Sequence, residues 1–170
     1  MSRPIRVAIE SYYRTGDVAA NIAFAEAICR FAVSLGYAPF AMHLHYTRFL
    51  NDNIPDERAL GIQCGLTWTD LADEVWFCLR PGETLTEGMR MALERDRELR
   101  RMGIERKVRH LVFRQDGQLL SGWEGELPRP SRLLLAQGAT PPSPAHRTPS
   151  VRDAHAPRPR GRATVFSGSA

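Results

Sequence analysis

The chain has 170 residues, 43% hydrophobic and 25% charged, with a formal charge of +4. That length suits one domain with a real core, since domains cluster near ~100–150 residues. No run approaches the ~18 consecutive apolar residues of a membrane span, and three widely spaced cysteines fit neither a disulfide framework nor a four-cysteine zinc site.

The elements alternate from the start. Ile5–Ile9 is a short apolar run, read as a first strand that ends at Glu10-Ser11. Asp17 or Thr15 is placed to cap a helix from about Val18 to Leu35. Its apolar positions Ile22, Ala25, Cys29, Ala32 and Val33 recur at spacings of three and four, and Gly36 stops it. Residues 37–44 read as a second strand, with Pro39 implying an edge. A polar and aromatic loop follows over 45–56, and Pro55-Asp56-Glu57 opens a second helix to about Leu71. Residues 73–79 form a third strand and 80–84 a loop. Thr86 caps a third helix over 87–102, with Gly103 as its stop, and 108–113 is a fourth strand. The turn at 115–120 starts either a small hairpin or a loose extension.

This order predicts an α/β fold, a flavodoxin-like or Rossmann-like three-layer sandwich with a mainly parallel sheet of four to five strands. The pattern ends near residue 127. From Pro128 onward the chain holds 8 of the 12 prolines, seven arginines and one acid, a local charge of +6, while residues 1–127 carry −2. Such a segment has too little to bury to offset its ordering entropy, so 128–170 is expected to be a disordered tail. Its arginines would suit a nucleic-acid or anionic arm. With 22 Arg against one Lys in the whole chain, however, Arg enrichment carries little information, and nucleic acid is not the expected partner. The opening Met-Ser-Arg-Pro has no secretory pattern, and a cytoplasmic location away from membranes is the expectation.

Open α/β sheets bind ligands beyond the carboxyl ends of their strands. That brings together 11–17, the segment from His43, 80–86, and the residues after Phe113. Tyr13 and Arg14 offer a ring for stacking and a planar fork for phosphate, and Gly16-Asp17 a helix start. The competing reading of the same residues is a helix cap with an aromatic packed on the sheet. His43 and His45, two apart on a strand end, would point to one face, but a zinc site needs more ligands, and no metal or other cofactor is expected. Asn51, Asp52, Asp56 and Arg58 suit recognition of a sugar or base, with Asp52 foremost, or equally a turn held by its own side chains. Glu87 and Glu94 share a helix face, as acid/base candidates or as a solvated surface. The cysteines read as core thiols. No G-x-x-x-x-G-K-[ST] and no G-x-G-x-x-G after the first strand is present, which removes support for ATP hydrolysis and ordinary dinucleotide use.

The same loops carry a resemblance. Residues 9–17 (Ile-Glu-Ser-Tyr-Tyr-Arg-Thr-Gly-Asp) with Asn21 resemble the SPYR-GD…N opening of a small, often phage-borne family of uncharacterised proteins with a nucleoside 2-deoxyribosyltransferase-like fold. Residues 43–52 (His-Leu-His-Tyr-Thr-Arg-Phe-Leu-Asn-Asp) with Pro55, Arg58, Gly61 and Gly65 look like its second block. Asp73-Glu-Val-Trp76 and Thr86-Glu-Gly-Met89 look like its DElW and S-GM blocks, so the likeness spans 5–104. It implies a nucleoside or nucleotide pocket in which Ser11, Tyr13, Arg14, Gly16, Asp17, His43, Asp52, Gly88 and Met89 bind ligand, and a homo-oligomer. In the transferases a glutamate attacks the sugar C1′ while an aspartate serves the leaving base. Here Ala92 stands at the glutamate's position and Thr86 at the aspartate's. The resemblance therefore offers Glu94, two residues on, as nucleophile, with Tyr13 and Thr86 assisting. Three functions follow: binding with cleavage or transfer of an N-glycosidic bond, a non-catalytic nucleotide-sensing module, or interaction through the Arg-rich tail.

Overall fold

A computed structural model of the chain describes residues 3–128. The expected tail lies outside the described residues, apart from Pro128. The elements run β1 (Ile5–Glu10), α1 (Val18–Ser34), β2 (Tyr37–Phe40), α2 (Met42–Tyr46), α3 (Pro55–Thr69), β3 (Glu74–Leu79), α4 (Glu87–Arg101), β4 (Lys107–Phe113) and β5 (Leu119–Ser121). The sheet order is β2-β1-β3-β4-β5, parallel throughout except that β5 returns antiparallel to β4. The turn at 115–120 is thus a hairpin, held by Arg114 N–H donating to Gln118 O at 2.8 Å. The fold is the expected α/β sandwich with a five-stranded, mainly parallel sheet.

Register sorts the side chains onto the two faces. Val7 pairs with Glu74 and Ile9 with Trp76, so these share one face, while Ala8 and Glu10 pair with Val75 and Phe77 on the other. On the first face Phe31 of α1 stands 6.4 Å from the Trp76 ring. On the second, Thr69 at the end of α3 reaches Glu10. Phe24, Ile28, Trp76, Phe77, Leu111 and Phe113 are fully buried. At roughly 1.5–3 kcal/mol for each large apolar side chain, they hold the three layers together.

A buried ion pair sits at the sheet's far end. Arg109 donates to Glu74 at 2.8 Å, Trp76 Nε1–H donates to the same carboxylate at 2.9 Å, and the Arg109 guanidinium lies 4.1 Å from the Trp123 ring centre. This group staples β3 to β4 away from the carboxyl ends of the strands.

One expectation fails locally. The second strand stops at Phe40 and residues 42–46 form α2, so part of the expected strand, and of the expected loop from 45, is helical. The apolar content of 41–44 fits either element, and tertiary contact decides. Gly65 of α3 lets Met42 approach so closely that an added Cβ would fall 2.0 Å from its Sδ.

Candidate functional site

In a 2-1-3-4 sheet the chain leaves β1 toward one edge and returns through β3 toward the other, and the split opens a crevice at their carboxyl ends. A cleft of about 210 Å³ occupies that place. One water needs only ~10–15 Å³ of such space, so the cleft has room for an organic ligand. Its floor is Glu10 and Ser11 at the end of β1. Met42, His43 and Tyr46 of α2 form one wall, Asp52, Arg58 and Gly61 another, and Thr86–Met89 and Ala92 of α4 a third. Tyr13 and Arg14 stand at the rim.

The loop over the rim is built by Asn21. Its amide, buried at 2% exposure, donates to the carbonyls of Tyr13 (2.8 Å) and Thr15 (2.7 Å), and its oxygen accepts from Arg80 at 2.8 Å. Gly16 makes the turn at φ +80°, and Asp17 accepts from the N–H groups of Ala19 and Ala20 to start α1. Gly16 and Asp17 therefore shape the loop without lining the cleft.

Inside, Ser11 Oγ and His43 Nε2 are 3.0 Å apart, and the Tyr13 and His43 rings lie 6.3 Å apart between centres. Surrounding protein lowers the His43 pKa to about 4, because desolvation disfavours the imidazolium. So weak a base remains neutral at pH 7 and acts there as a hydrogen-bonding group. Asp52 is held by Arg58 Nη1 at 2.9 and 3.0 Å, and its backbone carbonyl accepts from Arg14 at 3.5 Å. Thr86 Oγ1 accepts from Met89 N–H at 3.4 Å and caps α4 over the cleft.

Two expectations are corrected by position. His43 and His45 do not share a face. On a helix, two residues are ~200° apart, so His45 turns to Phe40 in a separate groove that Trp68 and Leu71 also line. Among the described residues no group of three His, Cys, Asp or Glu is set to hold a metal. Glu94 does share a helix face with Glu87, but it lies ~10 Å farther down the axis, past the cleft. It is exposed and accepts from Arg97 (3.1 Å) and Arg101 (2.7 Å), which together lower its pKa. Only Glu87 reaches the rim.

The structure also contributes a residue that the sequence pattern left unmarked. Glu10 is 6% exposed and faces the cleft from its floor. The single hydrogen bond to its carboxyl group among the described residues is from Thr69 Oγ1 at 3.5 Å. Desolvation pushes its pKa up to about 7, opposed by the Thr69 bond and by the charge of Arg106. Arg106 is itself paired with Asp96 at 2.9 Å through Nε, while its buried Nη2 has no hydrogen-bond partner among the described residues. The signal was an acid ending an otherwise apolar buried strand, since Glu is almost never fully buried without a partner.

Residues 5–106, from the first residue of β1 to the approach of β4, match the domain of unknown function DUF7768. The chain belongs to this family. No curated protein matches the chain. Every residue lining the cleft falls within the DUF7768 stretch, whereas β4 and β5, which complete the sheet, follow it.

Proposed function

We propose that the cleft binds a nucleoside, a nucleotide or a related ribosyl compound. The observation that carries the reading is the convergence, at the β1/β3 crevice, of three kinds of recognition group. These are an aromatic ring (Tyr13), a cation at the rim (Arg14), and neutral and charged polar groups inside (Ser11 with His43, Asp52 with Arg58). A base and sugar need the ring and the polar groups, and a phosphate needs the cation. Calorimetric titration with adenosine, uridine and their 5′-monophosphates tests it. Arg14→Ala should weaken the monophosphates more than the nucleosides, and His43→Ala should weaken both. A folded wild-type protein that binds none of the four ends the reading.

Two versions of the activity rest on different residues. Cleavage or transfer of the N-glycosidic bond needs a carboxyl group at the sugar, and Glu10, Glu57 and Glu87 are the carboxyl groups in the cleft with no ion-pair partner among the described residues. A non-catalytic binding module is favoured by Ala92, a methyl group on the cleft wall at the position where the resembling transferases carry their nucleophile. Chromatography for free base after incubation with bound nucleosides separates them. Released base removes the non-catalytic version, and intact nucleoside removes the catalytic one.

A further inference from the structure

We propose that Glu10 is the ligand-contacting carboxyl of the cleft and that it acts as a neutral acid, donating a hydrogen bond to an acceptor atom of the ligand. This inference rests on the nucleoside reading and narrows it. The ligand seats a carbonyl oxygen, ring nitrogen or hydroxyl oxygen on the cleft floor, not an ammonium or another cation.

The geometry gives the carboxyl group one weak partner within the described residues. A carboxyl group accommodates about four hydrogen bonds, and among the described residues Glu10 has one, a long contact of 3.5 Å from Thr69 Oγ1. Burying a polar group so poorly partnered is costly, and a ligand atom that completes its hydrogen bonding offsets that cost. Glu10 ends the strand, and its face of the sheet carries Ala8 and Phe77, which offer it nothing polar, with His110 stacked on the far side at 5.2 Å from the Phe77 ring.

The charges around it explain the neutral form. On the α3 side stand Thr69 and, beyond it, Asp70, which is occupied by Arg95 at 2.6 Å. From the segment before β4 comes Arg106, which is held by Asp96 of α4 and donates to the Thr69 carbonyl. Arg100 lies 3.9 Å from the same Asp96, so the acid of α4 is shared between two arginines. On the α2 side is neutral His43, bonded to Ser11, and at the start of α4 is Glu87, exposed at the cleft rim. The buried thiol of Cys78 is itself raised in pKa in part by Glu10. Among the described residues no cation pairs with Glu10, and desolvation therefore decides.

The consequence is proton-linked binding. With the acid form titrating near 7, a ligand that requires it loses affinity as pH rises through neutrality, about tenfold between pH 6 and pH 8. Unphosphorylated adenosine and uridine are the probes, because a phosphate titrates near ~6 and would mask the effect.

The experiment is calorimetry of the full chain with adenosine and with uridine at pH 6, 7 and 8, in wild type, E10Q and E10L. Thermal unfolding verifies that each variant is folded. The expected result is an affinity that falls about tenfold in wild type, is nearly level in E10Q, whose amide still donates but does not titrate, and is lost in E10L. Infrared difference spectra of ligand-free wild type against E10Q should also show a protonated carboxyl band at pH 6 that is gone at pH 8.5. Binding that is equally strong in E10L, or independent of pH in wild type, overturns this inference and leaves the nucleoside reading standing. Absence of the carboxyl band at pH 6 overturns it as well. A wild type that binds neither nucleoside at any pH overturns this inference, and the broader reading falls with it only if the 5′-monophosphates also fail to bind.

Discussion

Replacing Asn21 by alanine should cost about 2–4 kcal/mol and release the loop that carries Tyr13 and Arg14. Asn21 makes three bonds from a buried position, two as donor to the carbonyls of Tyr13 and Thr15 and one as acceptor from Arg80. A neutral bond contributes roughly 1 kcal/mol net and a bond to a charged group roughly 1.5–3, so the sum has an upper bound near 5 kcal/mol. Part of the last is recovered, because Arg80 keeps Gln115 at 2.7 Å, Glu83 at 3.3 Å and the faces of Tyr12 and Phe24. For a fold of this size each kcal/mol lowers the melting temperature by about 4 °C, giving a fall of about 8–16 °C. Urea and thermal unfolding of the full chain measure both quantities. The amide orientation adds a sharper arm. Asn21→Asp keeps the acceptor for Arg80 but sets an acceptor against two carbonyls, so it should be at least as destabilising as alanine. A loss under about 1 kcal/mol for alanine, or an aspartate variant as stable as wild type, would refute this account of the loop.

Three further outcomes follow from the same geometry. Asp17→Ala removes the acceptor for two N–H groups at the start of α1 and should cost about 1 kcal/mol in urea unfolding, within a usual range of roughly 0.5–2. Glu10 and His43 should impose opposite pH dependences. The raised pKa of Glu10 means the folded state holds the proton longer, so its contribution to stability falls as pH rises from about 4.5 to 7, by about 3 kcal/mol. The lowered pKa of His43 makes its contribution rise with pH from about 4 to 6.5. Stability curves of Glu10→Gln and His43→Gln, each subtracted from wild type, should therefore slope in opposite senses over pH 4.5–6.5, and equal slopes would contradict both assignments. Glu94→Gln should leave nucleoside affinity and the urea midpoint at wild-type values, because Glu94 and its arginine partners are solvent-exposed. A lost affinity would return Glu94 to the site.

Much of this architecture is legible in the sequence because it depends on local period and punctuation. The helix over 18–34 announces itself through apolar spacing and Asp17, and that over 87–101 through Thr86 and an amphipathic charge pattern. Strands β1 and β3 are short apolar runs with one possible home, the middle of a parallel sheet. Residues 41–46 carry no such period, and their helical state comes from the close approach of Met42 to Gly65. The cleft is half legible. Ser11, Tyr13, Arg14, His43, Asp52, Thr86, Gly88 and Met89 all line it, since strand ends and helix starts converge in any sheet of this order. Gly16 and Asp17 instead shape the loop, and Glu94 faces solvent.

The +4 charge with which the chain presents itself is a property of its composition, and it divides between a slightly acidic α/β stretch and an Arg-rich extension on counting alone. Fold class, helix starts and the set of loops that meet at one end were likewise determined by the sequence, because each depends on residues a few positions apart. Which carboxyl group faces the cleft from a buried position was decided by tertiary structure. Glu94 and Glu10 are both glutamates in the same chain. Only the packing of α3, α4 and the Arg106 segment over β1 desolvates one of them and leaves the other paired with arginines in water.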